Sequence, residues 1–203
     1  MWYNSTDGKL RGLGIIEGWS SGAPLITARY NTGGAGTQTA NLVFGGSPPV
    51  TDKTEEYNGS GWSTGGALGT PRSGNGGAGT QTAGLSSGGL ASDAATYVGN
   101  TEEYDGTSWS EQNDLSTYRG YSFTGGIQTA AFIAGGRKGP PYSNINDTEE
   151  YNGSSWTASP GNLNTTRDQI GGAGIQTAGL AFGGQLPPNG MSNSTEEYDG
   201  SSW

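Results

Sequence analysis

Thr54-Glu55-Glu56-Tyr57-Asn58-Gly59 returns as Thr101-Glu102-Glu103-Tyr104-Asp105-Gly106, as Thr148-Glu149-Glu150-Tyr151-Asn152-Gly153 and as Thr195-Glu196-Glu197-Tyr198-Asp199-Gly200, each copy 47 residues after the last. Trp62, Trp109, Trp156 and Trp203 keep the same step. A period of about 40 to 50 residues marks an array or a propeller, in which each unit buries its faces on its neighbours.

Working outward, Gln-Thr-Ala begins at Gln38, Gln81, Gln128 and Gln176, and glycine pairs follow at Gly45-Gly46, Gly88-Gly89, Gly135-Gly136 and Gly183-Gly184. Arg29, Arg72, Arg119 and Arg167 open the units. The chain thus divides into residues 29–203, holding four repeats, and an N-terminal segment, 1–28, with no linker or second domain between them.

Each unit is rich in Thr, Tyr, Phe and Val, broken by Gly, Asn, Asp and Pro, which is strand-and-turn chemistry. Four antiparallel strands follow: a from the arginine into the glycine run, b from Gln-Thr-Ala to the glycine pair, c through Thr-Glu-Glu-Tyr, and d around the tryptophan. The Asn-Gly or Asp-Gly after each tyrosine predicts a two-residue type I′ hairpin between c and d. A four-stranded unit of this size is a propeller blade. The expected fold is therefore all-β, a small β-propeller of four blades with four strands each, five blades being the alternative. Gly and Ala on strand a suit strands crowded around a narrow axis. The last unit stops at Trp203, so the stretch Leu13 to Ser20, with Ile15-Ile16-Glu17-Gly18-Trp19, is expected to close the final blade and remove an exposed edge.

Composition narrows the chemistry. The chain has 203 residues, 40 of them glycine, and only 13% are charged, against about 25% ordinarily. Six Trp, ten Tyr and four Phe argue for packing rather than disorder. With no Cys and no His, a thiolate, an imidazole base, a disulfide and a Cys/His zinc site are all excluded. A net charge of −9 repels phosphate backbones and disfavours a nucleic-acid partner. No run approaches ~18 apolar residues and the start lacks a basic and apolar leader, so neither membrane insertion nor a signal peptide is expected.

Most conspicuous motifs read as scaffold. The run from Gly76 to Gly84 lacks the lysine and following helix of a phosphate loop and recurs in every unit. The paired glutamates alternate faces on a strand, so neither pair can flank one bond. One of each pair is expected to face solvent and the other to meet the repeated arginine, as an ion pair rather than a cation site. The repeated aromatics are expected to pack between blades. No catalytic residue, metal ligand or cofactor is expected.

Departures from the repeat point to function, because solenoid-like folds place their differences in loops on one face. The loops between b and c vary most: Ser47 to Lys53, Leu90 to Asn100, Arg137 to Asp147 and Gln185 to Ser194. They emerge on the same side as the loops between d and the next a. That side offers Tyr97, Asn113, Tyr118, Arg137, Lys138 and Tyr142 as candidate ligand-binding residues.

The run of Arg, Gln-Thr-Ala-Gly-Leu-Ala-Phe-Gly-Gly, then Tyr and Trp, resembles the kelch motif from Arg29 to Trp203. Gly-Ala-Gly-Thr-Gln-Thr-Ala with Thr-Glu-Glu-Tyr-Asn-Gly-Ser-Ser-Trp looks like the kelch-like repeats of tailed-phage, especially marine-phage, structural proteins. The opening Trp2-Tyr3-Asn4-Ser5-Thr6-Asp7-Gly8-Lys9-Leu10 resembles segments preceding such repeats in fibre-like proteins. The resemblance implies a non-enzymatic virion component, a tail-fibre or surface-decoration module located on the phage particle. Its partners would be other virion proteins and a host surface glycan or protein. A carbohydrate-active propeller enzyme is one alternative, with Asp93, Asp114, Asp147 or Asp168 as conceivable acids of a carboxylate-only glycosidase, although the copper oxidases of the kelch group need histidines and a cysteine-linked tyrosine. An intracellular scaffold binding peptides through its loops is the other.

Overall fold

Backbone placement at the axis follows from the glycines of strand a. A Cβ at Gly77 would lie 2.6 Å from the Gly34 nitrogen, so two inner strands meet main chain to main chain only because no side chain intervenes. The computed structural model describes the strands Trp2–Asn4 and Lys9–Arg11 and residues 21–93 and 95–203. It is all-β, with no helix among the described residues, and its antiparallel sheets are arranged as a four-bladed β-propeller.

Blade 1 comprises strands a to d at Gly33–Gly36, Asn41–Phe44, Thr54–Tyr57 and Trp62–Thr64. Blade 2 uses Gly76–Thr80, Ala83–Ser87, Thr101–Tyr104 and Trp109–Gln112, and blade 3 uses Phe123–Ile127, Ala130–Ala134, Thr148–Tyr151 and Trp156–Ala158. Blade 4 has strands a to c at Gly171–Ile175, Ala178–Phe182 and Thr195–Tyr198. The strands Trp2–Asn4 and Lys9–Arg11 form a separate antiparallel pair. The stretch expected to close the last blade, Leu13 to Ser20, lies outside the described residues. Trp203 already holds in blade 4 the place that Trp62, Trp109 and Trp156 hold in theirs, stacked on Tyr198 with ring centroids 4.9 Å apart.

Near the axis, Asn31, Gly74, Tyr121 and Gln169 share a left-handed conformation, with φ of 54°, 63°, 58° and 53°. Three of them are not glycine, and such backbone is uncommon for ordinary residues. Here it is held by a relay between blades: Gly74 N donates to Asn31 O at 2.7 Å, Tyr121 N to Gly74 O at 2.8 Å and Gln169 N to Tyr121 O at 2.7 Å. These four residues, with Asn75 and Ile170, line an axial cavity of about 310 Å³.

Blades join through apolar clusters. Leu42 and Phe44 of blade 1 meet Tyr104 and Trp109 of blade 2, and Leu85 of blade 2 meets Ile133, Tyr151 and Trp156 of blade 3. Phe123 and Phe132 of blade 3 meet Tyr198 and Trp203 of blade 4. Each cluster carries the same three polar ties. The tyrosine of one blade donates to the second glutamate of the blade before it: Tyr104 to Glu56 at 2.5 Å, Tyr151 to Glu103 at 2.9 Å and Tyr198 to Glu150 at 2.6 Å. The tryptophan donates to a threonine: Trp109 to Thr54, Trp156 to Thr101 and Trp203 to Thr148, at 2.8–2.9 Å. The Gln-Thr-Ala glutamine donates to two carbonyls, as Gln81 does to Asn41 O at 3.0 Å and Tyr57 O at 2.7 Å.

Two local expectations are corrected. The glutamine stands in the turn between a and b rather than on strand b, because its amide is committed to the neighbouring blade. The loop between c and d has four residues rather than two, since Tyr57 pairs with Trp62. Asn58 Oδ1 accepts from Ser60 N and Gly61 N, both at 3.0 Å, and only Gly59 has positive φ. An Asx turn satisfies the loop's amides without the two left-handed residues that type I′ requires.

One glutamate of each pair meets the repeated arginine, as expected, and the structure shows that it is the first. Arg29 pairs with Glu55, Arg72 with Glu102 at 2.9 Å, Arg119 with Glu149 at 2.7 Å and Arg167 with Glu196 at 2.8 Å, all buried. The second glutamate is half-buried in blades 1 to 3 rather than fully turned to solvent. It receives the next blade's tyrosine, so both members of the pair are structural.

Those tyrosines make the fold sensitive to alkali. Burial, then the hydrogen bond to Glu56, pushes the Tyr104 phenol up to about 12, and burial with Glu150 does the same for Tyr198. A phenol raised in the folded state contributes fully below the ordinary tyrosine value of 10.0 and loses that contribution as pH rises through about 12. Urea midpoints are therefore expected to fall between pH 10 and pH 12. Tyr198→Phe will be less stable at neutral pH and will show a shallower fall.

Candidate functional site

Each b-to-c loop begins by pairing with the residue just after the repeated arginine. Arg137 N donates to Gly120 O at 2.9 Å and Gly120 N to Arg137 O at 3.0 Å; Gln185 N donates to Asp168 O at 2.8 Å and Asp168 N to Gln185 O at 3.1 Å. Leu90 pairs with Ser73 in the same manner, and Tyr97 bridges to Leu90 within the loop. The loops are thus anchored to the segments that lead into the inner strands, and Arg137–Lys138 pairs with Ser143–Asn144 as a small hairpin.

The loops of blades 2, 3 and 4 converge on two adjoining clefts. The first, about 250 Å³, is lined by Leu90, Ala95, Tyr97, Tyr121, Arg137 and Tyr142. The second, about 330 Å³, shares Arg137 and Tyr142 and adds Asn144, Asp168, Gln185 and Pro187 among its walls. The Arg137 guanidinium lies 5.5 Å from the Tyr142 ring centroid, a cation–π arrangement. Tyr142 meets Tyr97 edge-on at 6.1 Å, and its hydroxyl donates to Ala95 O at 3.3 Å.

Tyr97 is buried, and Tyr142 is 54% exposed. Tyr97 therefore supports the wall, while Tyr142, Tyr121 and Arg137 present surface. Asp168 is buried and accepts from Asn144 Nδ2 at 3.2 Å. Burial pushes its carboxyl up, with Arg137 and Asn144 opposing. Burial likewise pushes the Tyr97 phenol up to about 12, against the pull of Arg137.

Of the six residues singled out from sequence, Tyr97, Arg137 and Tyr142 come together here. Asn113 instead donates to Ser154 O at 2.9 Å, on the c-to-d loop of blade 3. Tyr118 is exposed and covers Gly99. Lys138 is exposed opposite Ser143 on the small hairpin. Sequence reasoning missed Tyr121 and Asn144, and named Asp168 only as a conceivable acid of the enzyme alternative. Tyr121 and Asp168 had a readable signal: the three positions after the repeated arginine read Tyr30-Asn31-Thr32, Ser73-Gly74-Asn75, Gly120-Tyr121-Ser122 and Asp168-Gln169-Ile170, and no two units agree at any of them.

Chemically, the clefts offer an aromatic face, a guanidinium and one carboxylate already hydrogen-bonded. Among the described residues no three His, Cys, Asp or Glu side chains gather as a metal site would require. The arrangement suits holding a polar ring by stacking and hydrogen bonding, a few fixed polar groups on a largely rigid wall. No protein-family model matches the chain, and no curated protein matches its sequence.

Proposed function

We propose that this chain is a non-enzymatic recognition module, a tail-fibre or surface-decoration component of a tailed-phage particle that engages host glycan through its loop face. The observation that carries the binding part is the convergence of Tyr121, Arg137 and Tyr142 of blade 3 with Tyr97 of blade 2 and Asp168 of blade 4 around two adjoining clefts. A tyrosine face with neighbouring Arg, Asn and carboxylate groups matches a polyhydroxylated ring, apolar on its faces and hydrogen-bonding at its rim. The virion part is supported by the kelch-like wording of the repeats.

Glycan arrays and competition of phage adsorption by the purified chain test the binding part. A specific glycan class should be retained, and Tyr142→Ala or Arg137→Ala should weaken it about tenfold or more while leaving the melting temperature close to that of the parent. Absence of binding across all host surface fractions overturns it. Immunogold labelling of purified particles tests the virion part, and measurable hydrolysis of a polysaccharide panel would restore the enzyme alternative.

A further inference from the structure

The three junctions between blades are built from one donor set and one acceptor set, and each set is left over once at the ends of the series. Blade 4 presents the acceptor face. Thr195 and Glu197 stand where Thr54 and Glu56 receive the tryptophan and tyrosine of blade 2. Both are exposed, and among the described residues no donor reaches either side chain. The apolar part is equally bare: Phe182 is 46% exposed where Phe44 and Ala134 are 0%, and Ala173 is exposed where Ala35 and Ala78 are buried.

Blade 1 presents the donor face. Gln38 is exposed, whereas Gln81, Gln128 and Gln176 each hold two carbonyls of the blade before them. Tyr57 is half-buried where Tyr104, Tyr151 and Tyr198 are buried. Trp62 turns its indole N–H to Ala23 O at 3.1 Å instead of to a threonine. An open groove of about 790 Å³, lined by Gln38, Asn41, Tyr57 and Trp62 among others, marks this face. The axial relay also stops here: it runs from Asn31 to Gln169, and no backbone bond joins Asn31 N to Gln169 O.

We propose that the exposed face of blade 4 docks blade 1 of a second copy of this chain, repeating the Gln, Tyr and Trp ties already present three times within it. The occupant is chosen by complementarity, since blade 1 carries the donors and the flat aromatic pair that every acceptor face in the molecule receives. The two faces differ, so the contact is heterologous and its products are a closed ring or an open chain of copies.

Sedimentation over a wide concentration range tests this, using the full chain and two variants that each remove one face. Gln38→Ala with Tyr57→Phe disables the donor face, and Phe182→Ser with Glu197→Lys disables the acceptor face. The parent should form dimers or larger species. Each variant alone should remain a monomer with an unchanged near-ultraviolet circular dichroism spectrum, and an equimolar mixture should give a dimer and nothing larger. Monomeric parent chain at every concentration overturns the proposal. So do variants that associate alone as the parent does. Protection of Phe182 from surface labelling in a monomer would place an occupant from the same chain on the face, and overturns it too.

Discussion

Arg119→Ala is expected to lower the stability of the fold by about 3–5 kcal/mol, because it strips one partner from a buried ion pair and leaves the other charge in the interior. The Arg119 and Glu149 side chains are 0% and 1% exposed. The guanidinium also donates to Asp147 O at 2.7 Å and to Gly135 O at 3.2 Å, and the carboxylate accepts from Ser116 N at 2.8 Å. One side chain thereby ties the entry to strand a, the end of strand b and the b-to-c loop. Desolvation outweighs Glu149 and pushes the guanidinium below its ordinary value, yet an arginine stays charged. A loss of this size in a domain of this length corresponds to a drop of roughly 6–20 °C in melting temperature. Replacing both partners, as Arg119→Met with Glu149→Leu, should recover much of it, since an apolar pair leaves no orphaned charge. A single variant as stable as the parent in calorimetry would show that the pair is energetically idle.

Trp156→Ala is expected to cost about 3–5 kcal/mol, and Trp62→Ala only a small fraction of that, although the repeat makes the two residues equivalent. Trp156 is buried against Tyr151 at 4.9 Å and donates to Thr101 Oγ1 at 2.8 Å across the junction of blades 2 and 3. Its removal opens a cavity between two sheets that cannot collapse independently. Trp62 lies on the face that no blade covers and meets Tyr57 and the Ala23 carbonyl. Urea unfolding at matched slopes separates the two. Equal midpoints would mean that the face of blade 1 is covered in solution, which bears directly on the proposed association of copies.

Much of this architecture was legible from spacing alone. Period and turn residues marked the strands, and the pairing of the arginine with one glutamate of each pair was readable, though not which one, because only one of two adjacent strand residues can point the same way. The second glutamate was misread. Glu56 and Glu103 look solvent-facing on their own strand, and their partners, Tyr104 and Tyr151, lie 48 residues later, in the next blade. For the site, Tyr97, Arg137 and Tyr142 were visible as departures from the repeat. Asn113 was a departure too, yet the structure turns it toward Ser154; its identity carries no record of which way the loop bends.

By itself, the sequence determined the blade. Alternating strand residues and the pairing of the repeated arginine with a glutamate are set by contacts within one repeat, so a 47-residue period suffices to specify them. Only the tertiary structure decided what four such blades do together. The junctions use groups from adjacent repeats, the clefts join three different loops, and repeat-equivalent residues such as Trp62 and Trp156 part ways because, among the described residues, one packs on a neighbouring blade and the other does not. Periodicity encodes what is the same in every unit; exposure, and with it function, depends on position in the series, which a repeating pattern cannot express.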